Sequence, residues 1–131
     1  MSKKHDPMRD PLKNVRGLGS AKEGVQHWWV QRVTAIALVP LVLIMLVTIL
    51  KLAPADHATV VAAFHHPLLA IVALLTVLAL FWHLRLGLQV VIEDYVHTES
   101  TKIVTLLGIT FAVFLVGGIA ALSVLKLFFG A

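Results

Sequence analysis

Two stretches of this chain are long, apolar and free of charge: Val33 to Leu50, and Ile103 to Leu125. A third, Leu68 to Trp82, is shorter, but Leu84, Leu86 and Leu88 to Ile92 carry it past His83 and Arg85. A helix needs roughly 20 such residues to cross a hydrocarbon core of about 30 Å. Inside lipid every backbone polar group has to be satisfied by the chain itself, which leaves helices or a closed barrel. The expectation is an all-α membrane protein with three transmembrane helices, at about residues 29–52, 67–95 and 102–127. An N-terminal segment, 1–27, precedes a membrane domain spanning 28–131. Composition agrees: 59% of the 131 residues are hydrophobic and 14% charged, more apolar surface than a soluble domain of this length could bury.

The charges set an orientation. Lys3, Lys4, Arg9, Lys13, Arg16, Lys22 and Arg32 precede or open the first span; only Lys51, Arg85, Lys102 and Lys126 follow. By the positive-inside rule the N-terminus and second loop are cytoplasmic, and the first loop and C-terminus periplasmic. The expectation is a multi-pass membrane protein. A basic N-terminus also suits anionic lipid or a cytoplasmic partner. No nucleic acid is expected as a partner, because the basic residues read as a topology signal. The first apolar run is too long for a signal-peptide core and lacks a cleavage site after it. There is no cysteine, so thiolate metal sites, disulfides and c-type haem attachment are excluded.

Punctuation refines the boundaries. Gly17, Gly19 and Gly24 predict a loop-like segment before the first span. Trp28 and Trp29 suit an interfacial aromatic belt. Pro40 predicts a kink within the first helix. Pro54, Asp56 and His57 break the chain after it, and Pro67 fits the first residue of the second helix.

The second span is the polar one, so function is expected to concentrate there. His83 lies about 24 Å along it from Pro67, in the cytoplasmic half of the bilayer, and Asp94 about 16 Å further, at the headgroups. An ionisable side chain within a span is costly and marks a functional candidate. At 100° per residue His83, Gly87, Val90 and Asp94 share a face, and Gly87 leaves room for a flat macrocycle or a neighbouring helix. Arg85 points roughly the other way and can snorkel to the headgroups. His83 has two readings: axial ligand of a b-type haem, or donor of one hydrogen bond to a neighbouring helix. Asp94 and Tyr95 are either an ordinary helix end or part of a quinone site. There a phenol would donate to a carbonyl and a carboxylate would orient donors or relay protons, with Glu93 and His97 nearby. His27 and His97 fall in expected interfacial segments, so a second haem ligand has to come from another chain. His57, His65 and His66 form a small cluster at the opposite side, a weak candidate for a metal.

The pattern His83-x3-Gly87-x-Gln89-Val90-x3-Asp94-Tyr95-Val96 resembles the second-helix signature of the small hydrophobic anchor (D) subunit of succinate dehydrogenase, complex II. The stretch Gly19-Ser20-Ala21-Lys22-x-Gly24-x2-His27-Trp28-Trp29-x-Gln31-Arg32-Val33-Thr34-Ala35 resembles the bacterial form of that subunit. The resemblance covers most of the chain from about residue 17 and implies a bacterial inner membrane. It implies a partnership with a second three-helix anchor, the C subunit of the cytochrome b556 type, with haem b held between the two and His83 as one axial ligand. It implies that Tyr95 hydrogen-bonds ubiquinone with Asp94 close by, and that a flavoprotein and an iron–sulfur subunit dock on the cytoplasmic face. Electrons would pass from succinate through FAD and iron–sulfur clusters to ubiquinone, with no succinate chemistry in this chain. Arg32 has the position and charge to neutralise haem propionates. The chain is too short, and too poor in intramembrane histidine, for family members that hold two haems in one longer polypeptide.

Other classes remain open. A fumarate reductase anchor would use the same residues. A small proton-linked transporter subunit would use His83 and Asp94 as a proton path and would carry no haem. A purely structural assembly factor would need neither residue.

Overall fold

The computed structural model describes residues 22–130; the expectations for residues 1–21 lie outside them. Four helices follow in order: α1 (Lys22–Leu52), α2 (His57–Phe64), α3 (Pro67–Tyr95) and α4 (Glu99–Phe129). Helices α1, α3 and α4 are each long and apolar enough to cross a membrane. The 29 residues of α3 span about 43 Å at 1.5 Å per residue, more than the hydrocarbon core. The all-α, three-span class expected from the sequence is therefore the observed one.

The start of the first helix differs, because glycine was weighted too heavily. Helix α1 begins at Lys22, so Gly24 lies inside it and not in a loop. A helical glycine costs about 1 kcal/mol relative to alanine, which the following apolar turns outweigh. Pro40 is carried within α1 without ending it. The break after α1 holds a short helix, α2. Asp56 caps it, accepting from the Thr59 backbone N–H at 3.2 Å. Those hydrogen bonds, from the Thr59 side chain first and its backbone second, hold the Asp56 carboxyl below the usual carboxylate range. Pro67 occupies the first turn of α3, with His66 as the N-cap residue.

The segment 96–98 joins α3 to α4. So short a link makes them antiparallel neighbours. Helix α3 is central: it packs against α1 on one side and α4 on the other, while α1 and α4 scarcely meet. Small residues let the backbones approach. Ala70 and Ala73 on α3 are buried, as is Gly117 on α4. A Cβ on Gly117 would lie 3.0 Å from Phe81 Cγ and 3.2 Å from Phe81 Cβ, so this crossing is built on the missing side chain. Most large apolar side chains point outwards, Ile36 at 72% exposure and Phe111 at 71% among them. Such a surface belongs in lipid or against another apolar subunit.

Candidate functional site

The early start of α1 has a consequence for α3. His27, Gln31, Thr34 and Leu38 are spaced at 4, 3 and 4 residues, one stripe of a helix. Leu38 on that stripe is buried. Thr34 lies opposite His83, its Oγ1 2.9 Å from His83 Nδ1. One turn towards the N-terminus Gln31 meets Gly87: a Cβ on that glycine would sit 3.5 Å from Gln31 Nε2. The Gly87 gap thus faces a neighbouring helix. His27 then lies about 10 Å beyond Thr34, alongside the last turns of α3.

Beside this seam a cleft of about 750 Å³ opens, lined among others by His27, Trp28, Gln31, Arg32, His83 and Glu93. The volume is within the ordinary range for a small-molecule or cofactor site. Two of its lining residues carry a buried polar atom without a partner, His27 Nε2 and Gln31 Oε1. Buried polar groups are seldom left unpaired, so these two mark where a further polar group belongs. The Arg32 guanidinium lies over the Trp28 ring, 4.7 Å from its centroid, and Trp28 stacks on Trp29 at 6.2 Å. The pairing holds one cation at the cleft's rim.

His83, Arg32 and Glu93 come together at this cleft; Asp94 and Tyr95 do not. Asp94 shares the His83 face by helical angle, yet both residues stand exposed at the end of α3, Tyr95 at 78%. Glu93 lines the cleft instead, its carboxylate accepting from Gln89 Nε2 at 2.8 Å. Arg85 does not extend freely: it is half-buried, its Nε is unpartnered, and its guanidinium lies 6.0 Å from the Trp82 ring centroid. His27 was missed as a site residue because it fell in the segment read before the first helix. Gln31 and Thr34 lay on that helix, but nothing besides the 4-3-4 spacing of the three with Leu38 marked the face they share with His83.

At the opposite end the histidines have separate roles. His65 Nδ1–H donates to the Phe128 carbonyl at 2.9 Å, tying α2 to the end of α4. His57 lines another cleft, with Ser123 and Lys126. Among the described residues no three His, Asp or Glu side chains converge as a metal-binding group.

Comparison with known proteins names the family. Residues 6–117 match the family described as succinate dehydrogenase/fumarate reductase transmembrane subunit. The chain is 39% identical over 90 residues to the succinate dehydrogenase membrane anchor subunit of Reclinomonas americana, covering 65% of this chain and 73% of that one. It is 35% identical over 94 residues to the hydrophobic membrane anchor subunit of Rickettsia bellii, covering 72% and 75%. To the Paracoccus denitrificans anchor subunit it is 30% identical over 101 residues, covering 77% and 78%. No solved structure matches the chain significantly. With three membrane-spanning helices and a family match over most of its length, the chain belongs to the transmembrane subunits of succinate dehydrogenase and fumarate reductase.

Proposed function

We propose that this chain is the hydrophobic anchor of a succinate:ubiquinone oxidoreductase in a bacterial inner membrane, with its N-terminus in the cytoplasm. In this reading it holds one side of a b-type haem through His83 and forms part of the ubiquinone-reduction site through Tyr95 and Asp94. The observation that carries the reading is the cleft itself: an imidazole and a cation lie around one cofactor-sized space beside an intramembrane helix seam.

The residues present fit a haem. His83 would offer a ring nitrogen to iron. Arg32 would neutralise a propionate, and His27 would hydrogen-bond the same polar edge. A haem held there would supply a one-electron store beside the quinone path. No second histidine of this chain stands at the depth of His83 among the described residues, so a further ligand would come from the C subunit. The cleft's open side is where that subunit would close it. Tyr95 and Asp94, exposed at the end of α3, would meet ubiquinone where the iron–sulfur subunit docks, with the flavoprotein beyond. The Tyr95 hydroxyl would donate to a quinone carbonyl, and the Asp94 carboxylate would take up and release protons from the cytoplasm. Succinate chemistry would stay in the flavoprotein.

The family description covers fumarate reductases as well. The same residues would serve either direction, and the ratio of succinate:quinone to quinol:fumarate turnover distinguishes them. The primary test is purification through a tag on this chain. Three further polypeptides and a b-type reduced-minus-oxidised spectrum are expected. A well-behaved homo-oligomer without them would overturn the proposal.

A further inference from the structure

We propose that Thr34 is the positioning residue of His83: its hydroxyl oxygen accepts the Nδ1–H, which fixes the ring tautomer and leaves Nε2 as the nitrogen with a free lone pair. The inference rests on the reading of His83 as a haem ligand and adds to it the group that makes the imidazole competent.

The hydrogen-bond geometry carries it. Thr34 Oγ1 lies 2.9 Å from the Val30 carbonyl, 3.0 Å from the Gln31 carbonyl and 2.9 Å from His83 Nδ1. A hydroxyl has one hydrogen to give and two lone pairs to accept with, and a carbonyl only accepts. When the hydrogen goes to a backbone carbonyl, as threonine in a helix commonly arranges, the oxygen can only accept from His83. The other assignment, hydroxyl to Nδ1, would put the hydrogen on Nε2. No described residue accepts from His83 Nε2, so that N–H would be left unsatisfied in a low-dielectric setting, at a real cost. The Nδ1–H tautomer leaves no donor unpaired and keeps the second nitrogen of a cleft-lining residue available.

Threonine is suited to this. Its branched Cβ restricts χ1, and in a helix its oxygen is held over the preceding turn. The donor-acceptor line thus runs from the backbone of α1 to the ring on α3, so the helix that forms the cleft's wall also orients the ligand. Metal-bound histidines generally donate their other ring N–H to such a partner, which raises ligand basicity, and losing it weakens binding about 10- to 100-fold.

The test uses the whole complex purified through this chain. Thr34→Val keeps the shape and removes the acceptor. Haem retention on extended washing should fall about 10- to 100-fold. The midpoint potential of the haem that stays bound should rise, because a less basic imidazole stabilises oxidised iron less. Thr34→Ala should shift the potential in the same direction. Thr34→Ser, which keeps the hydroxyl, should restore both properties. A wild-type potential and retention in Thr34→Val or Thr34→Ala would overturn the inference. So would failure of both to assemble while Thr34→Ser assembles, since the hydroxyl would then be a helix-packing group. His83→Ala separates this inference from the reading beneath it. If that variant keeps an unchanged b-type spectrum, the ligand assignment itself fails; if it loses the spectrum while Thr34→Val is unaltered, only the role of Thr34 fails.

Discussion

The two seams of α3 are built differently. Against α4 the contact is small against large: Gly117 admits Phe81 so closely that a single methyl would have to displace the ring. Against α1 the contact at mid-seam is polar, Thr34 on His83 and Gln31 beside Gly87, and it opens into a cleft two of whose lining residues carry unpartnered polar atoms. Dispersion and close approach hold helices together in lipid, so the α4 seam is the one that holds the bundle. Polar groups at such depth are costly, so the α1 seam is the one at which the proposed cofactor site lies. One central helix thus has a structural side and a functional side.

The sharpest way to break that contrast is at His83. His83→Ala should abolish or alter the b-type spectrum of the purified complex, whereas His57→Ala, near the opposite end, should leave it unchanged. Equal spectra in the two variants would remove the functional assignment of the α1 seam.

The next effect lies beyond the cleft, at the exposed end of α3. Tyr95→Phe deletes one hydroxyl and little volume. A net hydrogen bond is worth about 0.5–1.5 kcal/mol, and an unsatisfied buried partner costs about 1–3 kcal/mol. At about 1.4 kcal/mol per tenfold, quinone reductase efficiency should fall roughly 10- to 100-fold. Succinate oxidation with an artificial acceptor that draws on the soluble subunits should hardly change. Asp94→Asn should also impair quinone reduction and alter its pH dependence. Normal quinone kinetics in Tyr95→Phe would return Asp94 and Tyr95 to an ordinary helix terminus.

On the structural side, Gly117→Leu overpacks the α4 seam and should cost about 1–3 kcal/mol. The measurement is thermal stability of the detergent-solubilised complex, with the shape of the haem spectrum kept. A lowered midpoint for unfolding with an intact spectrum would sharpen the contrast; a changed spectrum with unchanged stability would invert it.

The smallest effect is at the α2 cap. The Asp56 carboxyl is lowered by its hydrogen bonds to Thr59, so its stabilisation is complete above the unfolded value of about 3.9. It is lost as pH falls through the still lower folded value. Asp56→Ala should lower the amide-exchange protection factors in the first turn of α2 near neutral pH. Acidification through the folded value should lower them in the native chain once the slower intrinsic exchange at low pH is corrected for. Haem and quinone measurements should be indifferent to both.

The three spans were legible because apolar runs of this length have one solution in lipid, and α3 was read from Pro67 to Tyr95, the limits it has. The start of α1 was not, because Gly24 signals a turn locally while the helix is decided by the turns that follow it. Helix α2 was hidden behind Pro54, although Asp56 followed three residues later by Thr59 was a readable cap. His83 stood out by its depth. Its neighbours Gln31 and Thr34 were legible only as members of a helical stripe with Leu38, and His27 joins that stripe only because α1 starts early.

By itself the sequence determined the class and the number of spans and singled out His83 as a candidate, because the cost of polarity in lipid is a property of composition and spacing. The tertiary structure decided which residues meet. Crossing α1 over α3 brings Thr34 to His83 and Arg32 to the same cleft, across 49 residues of chain in the first case. It leaves Asp94 and Tyr95 facing outwards. Such pairings depend on where two helices cross, and that is fixed by the fit of small and large side chains along both, which no single stretch of sequence contains.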